Sequence, residues 1–179
     1  MNSKLFAMKI FLRNIPWLVL LFPFVILAWF YDSLPNEILI AKSFFSDDAT
    51  FAPKTLFTVF RVPLIEIVCA AAIEVMRRKF AGVNANYRAM WNILLWTVAL
   101  KSLLQAFEIV SPAKFAGEFF YTTLGVVVVG IILALLKGWR FFGDLFRSKQ
   151  KFSGVESAIL LAALIAYLAL AIVPTFVYN

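Results

Sequence analysis

Five ionisable side chains and one glutamine stand inside two stretches that are otherwise apolar. The first stretch, about Leu56 to Met76, holds Arg61, Glu66 and Glu74; the second, about Met90 to Val110, holds Lys101, Gln105 and Glu108. An ionised group near the centre of a bilayer costs roughly 2.5–3.5 kcal/mol to insert, so it needs a partner, water or a place near the edge. At ~1.5 Å per helical residue, Glu66 lies ~15 Å past Leu56 and Lys101 ~16 Å past Met90. Two antiparallel helices therefore bring opposite charges to one depth. Arg61 and Glu108 fall together in the outer third and make a second pair that a long arginine can span. Lys101, Gln105 and Glu108 follow i, i+4, i+7 spacing and share one helix face.

This polar stripe has two readings. One is a set of intramembrane ion pairs that fixes the register of two helices. The other is a path or pocket for a proton, an ion or a small polar substrate. The charges of the four residues balance, and a carboxylate beside a lysine is held ionised and shuttles protons poorly, which favours the structural reading. Glu74 stands apart. It precedes Arg77 and Arg78 by three and four residues, the spacing of local helical pairing.

Other chemistry is thinly provided. The chain has no histidine, and Cys69 is its single cysteine. Haem on histidine, iron–sulfur clusters, the usual zinc sites and histidine-based acid–base catalysis are thereby excluded, as is an internal disulfide. Cys69, within an apolar stretch, reads as a small buried hydrophobe. No nucleophile–base pairing, intramembrane aspartate pair or phosphate-cradling glycine loop is present. The expectation is a non-enzymatic protein with no metal and no cofactor.

The elements that must position the stripe follow from hydropathy. Of 179 residues 63% are hydrophobic, 20 are phenylalanine and 15% are charged, with a mean hydropathy of +0.90. Soluble domains are roughly 45–50% apolar, so the excess faces lipid. The predicted architecture is all-α, a single-domain polytopic membrane helix bundle of about five spans. These run from about Ile15 to Tyr31, Leu56 to Met76, Met90 to Val110, Glu118 to Leu136 and Ser157 to Val177. The first stretch is too long for a signal-peptide apolar region and no small-x-small site follows it, so an uncleaved first span is expected. Pro23 should kink that span, and Ser3 to Asn14 is expected to lie along the interface. Asp32 to Thr55 is the long extracytoplasmic connection, apolar enough at Ile38-Leu39-Ile40 to fold back on the bundle with short strand or turn structure. A turn with Ser111, Pro112 and Gly117 separates the third and fourth spans.

Charge placement orients the bundle. An N-terminus in the cytoplasm places Lys4, Lys9, Arg13, Arg77, Arg78, Lys79, Arg88, Lys137, Arg140, Arg147, Lys149 and Lys151 inside; only Lys42, Lys54 and Lys114 fall outside. The positive-inside rule then predicts N-in and C-out. The net charge of +7 is read as topology and attraction to anionic headgroups, not as nucleic-acid binding. Within 138–152, Trp139, Phe142 and Phe146 share a face beside Arg140 and Arg147, the pattern of an interfacial helix on anionic lipid. Ala158, Ala162 and Ala166 repeat at i+4 and predict a close intramolecular helix contact. Gly125 and Gly130 read as ordinary packing positions.

Leu34-Pro35-Asn36-Glu37-Ile38-Leu39-Ile40, then Pro53-Lys54-Thr55-Leu56-Phe57 and Pro63-Leu64-Ile65, resemble the SdpI-like family of bacterial membrane proteins. That family places an extracytoplasmic Leu-Pro-x-x-Ile-x-Ile-His segment after its first span, then a turn glycine and a lysine opening the next span. Leu34, Pro35, Ile38, Ile40 and Lys54 occupy matching places; Ala41 stands at the histidine position and the turn glycine is missing. The match covers about a fifth of the chain. The resemblance implies a toxin-immunity or signalling protein of the bacterial inner membrane that acts by binding a membrane-protein partner. A small transporter or channel built on Arg61, Glu66, Lys101 and Glu108 is the alternative expectation.

Overall fold

The computed structural model describes residues 3–42, 49–80, 84–111, 113–141 and 153–177. Helices dominate: α1 spans Ser3–Trp29, α2 Leu56–Phe80, α3 Ala85–Val110, α4 Ala113–Gly138 and α5 Gly154–Val177. The helices Leu56–Phe80 and Ala85–Val110 and the segment Tyr121–Gly138 are long and apolar enough to cross a membrane, and Asn14–Trp29 and Gly154–Ile165 are shorter apolar helical segments. The molecule therefore has transmembrane character.

Helix boundaries follow local hydrogen bonding. Thr55 caps α2: its hydroxyl accepts from the Thr58 backbone N–H at 3.1 Å, while the Thr55 N–H donates to the Thr58 hydroxyl at 2.8 Å. This reciprocal box satisfies two otherwise orphaned donors. Ser153 and Glu156 repeat the device at the start of α5, through Ser153 N–H to Glu156 Oε2 at 2.7 Å and Glu156 N–H to Ser153 Oγ at 3.2 Å. Asn84 caps α3 through its side chain, which accepts from the Asn86 N–H. Ser111 ends α3 in an extended conformation, as the residue before a proline must. We expect Thr55→Ala to destabilise the protein by about 1 kcal/mol, read as a lowered unfolding temperature in detergent.

Several boundaries differ from expectation. Ser3 to Asn14 is continuous with the rest of α1, which ends at Trp29, with Tyr31–Ser33 in a short 3-10 turn. Leu, Ile and Phe on both sides of Asn14 carry the helix on, with Pro16 and Pro23 inside it. Gly117 lies inside α4, not in a turn, because only Ser111 and Pro112 lie between the end of α3 and the start of α4.

The connection after α1 is an antiparallel ribbon, the exception to the helical architecture: β1, Glu37–Lys42, pairs with β2, Ala49–Pro53, with Glu37 opposite Pro53 and a bulge between Leu39 and Ala41. Lys54 fastens it to the bundle. Its ammonium donates to the carbonyls of Leu34 at 3.0 Å and Tyr31 at 3.4 Å, and lies over the Tyr31 ring.

The core is stacked along the bundle in layers. Beneath the ribbon, Leu27, Leu34, Ile38, Val59 and Ala106 pack together; in the middle, Leu20, Ala70, Leu95 and Ala99; at the far end, Phe80, Tyr87, Met90, Ala134 and Phe141. α1, α2 and α3 form the centre, α4 packs chiefly on α3, and α5 chiefly on α2. Large apolar residues cover the outer faces, among them Phe22 and Val25 on α1 and Val129, Ile132 and Leu136 on α4. Apolar surface this extensive suits a lipid solvent. On α5 the buried small residue is Ala163; Ala158 and Ala162 are exposed, so the expected alanine face is not the internal contact, and the Ala166 side chain lies outside the described residues. The tie at Glu156 sets this rotation of α5 by fixing which side of its first turn meets α2.

Candidate functional site

Glu66 and Lys101 meet across α2 and α3, the lysine ammonium donating to Glu66 Oε1. Glu66 lies one turn after the buried Pro63 and between the layers of Val59 and Ala70, while Lys101 lies between those of Ala99 and Ala106. The pair is thus deep in the bundle, ~15 Å from the start of α2. The two partners are unequally placed: the glutamate side chain is 5% exposed and the lysine side chain 33%. Lys101 reaches inward from the α3 surface along its aliphatic stem, and Glu66 is enclosed.

Two further polar atoms accompany the pair on α3. Ser102 is fully buried, and its Oγ has no hydrogen-bond partner among the described residues; the same holds for the buried Oε1 of Gln105. Ser102 follows Lys101 directly and precedes Gln105 by three, so both residues lie within about a turn of Lys101 along α3. Thr97, one turn earlier, satisfies itself by donating to the Ile93 carbonyl at 2.8 Å. Ser102 escaped the sequence reading because a neutral hydroxyl in an apolar helix is usually satisfied in that way; its spacing from Gln105 was the available signal.

Arg61 is buried on α2 and Glu108 is half-buried on α3, and both are engaged in polar interactions. Cys69 is a free, half-buried thiol on α2. Among the described residues no group of three potential metal ligands comes together. The chemistry that the site provides is therefore charge pairing in a low-dielectric interior, next to unfilled hydrogen-bonding capacity.

The opposite end of α2 is organised by arginine. Arg77 is 9% exposed: Nε and Nη2 grip the Glu74 carboxylate at 2.7 and 2.8 Å, and Nη1 donates to Asn92 Oδ1 on α3 at 3.0 Å. Arg78 Nε adds a bond to Glu74 at 2.8 Å. Glu74 thus pairs locally, but Arg77, counted from sequence as a topological surface charge, is a buried clamp between helices. Lys79 donates to Glu156 at 3.0 Å and ties α2 to the first turn of α5, ahead of the apolar stretch. The Ser153 backbone N–H, then Lys79, holds the Glu156 carboxyl below the usual carboxylate range.

The aromatic-basic segment after α4 is described as far as Phe141; Phe142, Phe146 and Arg147 lie outside the described residues. Trp139 and Arg140 are exposed, with the Arg140 guanidinium 4.7 Å from the Trp139 ring centroid. The residue that docks is Phe141, absent from the sequence-based set. Its ring meets Phe80, Tyr87 and Trp91 edge-on at 5.0, 5.3 and 5.2 Å. No protein-family model matches the sequence, and no curated protein or solved structure is similar to it.

Proposed function

We propose that this chain is a five-span membrane protein of the bacterial inner membrane, N-terminus inside and C-terminus outside, that acts without enzymatic chemistry by contacting another membrane protein through its β1–β2 ribbon. The observation that carries this reading is the fastening of the ribbon. Lys54, Leu34 and Ile38 hold it on the bundle, while Phe51 stands half exposed on β2. A two-stranded ribbon is marginal alone, and its two edges present unpaired backbone groups that suit strand pairing with a partner. The intramembrane charges support the same view, since Glu66 and Lys101 are engaged with each other. The SdpI-like resemblance, which falls on this ribbon, points to immunity or signalling as the setting.

A photo-crosslinking residue at Phe51 tests the proposal in intact membranes, with Val25 on the outer face of α1 as control. We expect a discrete adduct from position 51 and none from 25, and the same partner in stoichiometric amount after purification in mild detergent. Equal labelling at both positions, or none, removes the contact reading.

A second reading, a small transporter or channel, is favoured by one observation: the unpartnered Ser102 Oγ and Gln105 Oε1 beside an ion pair. Buried polar atoms without partners cost about 1–3 kcal/mol each, which a hydrated path offsets. That reading expects a Gln105→Cys variant to react with a membrane-impermeant thiol reagent, in a background where Cys69 is alanine. Complete protection expels it.

A further inference from the structure

A groove of about 490 Å³ runs between α3 and α4, lined by residues including Asn92, Trp96 and Leu100 on one side and Gly125, Val129 and Leu133 on the other. It owes its shape to two glycines with opposite environments. At Gly130 the helices touch, and a Cβ would meet Thr97 Cγ2 at 2.7 Å; at Gly125 a Cβ would find nothing within 4 Å. The helices thus touch on the floor of the groove at Gly130 and stand apart at Gly125.

Past the contact at Gly130 the groove runs on to Leu133 and Asn92, towards the end of the bundle that carries cations. Lys137 follows Leu133 by one helical turn, on the same face of α4, and is exposed. Arg88 precedes Asn92 by one turn on α3 and is also exposed. Trp139 and Arg140 follow Lys137 just past the end of α4, the guanidinium over the indole, and Phe141 anchors this segment through its three aromatic neighbours. The two described carboxylates at this end do not offset Lys137 and Arg140, because Glu74 and Glu156 bond to Arg77, Arg78 and Lys79 on the α2 side. Positive charge therefore gathers at the mouth of an apolar trough, with an indole at the boundary between them.

We propose that this is a binding site for one acidic phospholipid, its phosphate held by Lys137 and Arg140 beside Trp139 and one acyl chain lying along the α3–α4 groove. Charge complementarity selects the headgroup: a phosphodiester with an anionic headgroup answers cations at the membrane surface, whereas a partner helix would bring apolar side chains to the trough and nothing for the mouth. The groove selects the chain, since a flexible hydrocarbon entering at Leu133 can follow it past the contact at Gly130 to the open space at Gly125. The site lies at the other end of the bundle from the ribbon and stands or falls independently of it.

Native mass spectrometry of the full-length protein in detergent, titrated with phosphatidylglycerol or phosphatidylcholine, tests the site. We expect a single phosphatidylglycerol to be retained in preference to phosphatidylcholine. The double variant Lys137→Gln/Arg140→Gln should lower that affinity about 30-fold, from two surface cations, and leave phosphatidylcholine binding unchanged. Gly125→Phe, which enters open space, should fill the trough and displace both lipids while the fold is retained. Equal retention of the two lipids by the wild type, an unchanged preference in the double variant, or a dimer that Gly125→Phe dissolves would overturn the proposal. Displacement of the bound lipid by inorganic phosphate alone would do the same, because the acyl chain would then contribute nothing.

Discussion

Lys101→Met is expected to be among the most damaging single substitutions in the molecule, lowering stability by about 3–5 kcal/mol through the stranding of a buried charge. The reason lies in the asymmetry of the pair. Removing the lysine leaves Glu66 with a side chain 5% exposed and no counter-charge on Lys101, whereas Glu66→Gln leaves an ammonium whose side chain is 33% exposed. A lysine can carry its charge outward along its stem; an enclosed carboxylate has no such route. The expected order of damage is therefore Lys101→Met above Glu66→Gln, with Glu66→Lys also severe because it sets two cations against each other. The combination Glu66→Lys with Lys101→Glu restores opposite charges and should recover a large part of the loss. Fluorescence-detected size-exclusion chromatography of detergent extracts, with heating, measures all four. A double variant no better than the singles would show that the pair does not hold α2 to α3.

Gly130→Val is expected to be nearly as severe, for a steric reason. The new side chain would enter the space of Thr97, and overpacking of this kind costs typically 1–3 kcal/mol and sometimes more. Thr97 cannot readily move aside, since its hydroxyl is committed to the Ile93 carbonyl at 2.8 Å. Gly138→Ala meets a softer obstacle, the side chain of Met90, and should cost less, because methionine has several rotatable bonds through which to yield. Gly125→Ala meets nothing and should gain up to about 1 kcal/mol of helix propensity. Thermal unfolding of the three variants should thus rank Gly130→Val lowest and Gly125→Ala at or above the wild type. Three glycines near or in one helix then report three different surroundings. Equal effects at positions 130 and 125 would mean that α3 and α4 do not approach through Gly130.

The same glycines show what pattern reading reaches and what it misses. In sequence Gly125 and Gly130 look alike, and both read as packing positions; only the placement of α3 separates a contact from a trough. Ala158 and Ala162 were legible as a small-residue face, yet the face turned toward α2 is that of Glu156 and Ala163, because the capping glutamate and Lys79 fix the rotation of the helix. Arg77 and Phe141 passed as members of a basic run and an aromatic-basic run. Nothing local distinguishes them from Arg78 and Trp139, their exposed neighbours.

The sequence by itself determined what depends on sums over neighbours: the apolar stretches, their approximate ends, the glutamate and lysine at matched distances along α2 and α3, and the gathering of lysine and arginine beside particular helix ends. Hydropathy and helical rise act locally and add residue by residue, so they can be read from the chain. The tertiary structure decided which face of each helix meets another. It enclosed Glu66 while leaving Lys101 partly outside, buried Arg77 as a clamp, seated Phe141 among three rings, and opened a trough at Gly125. Those outcomes depend on residues far apart in the chain arriving at one place, and helix rotation and approach distance carry no signature until both helices are present.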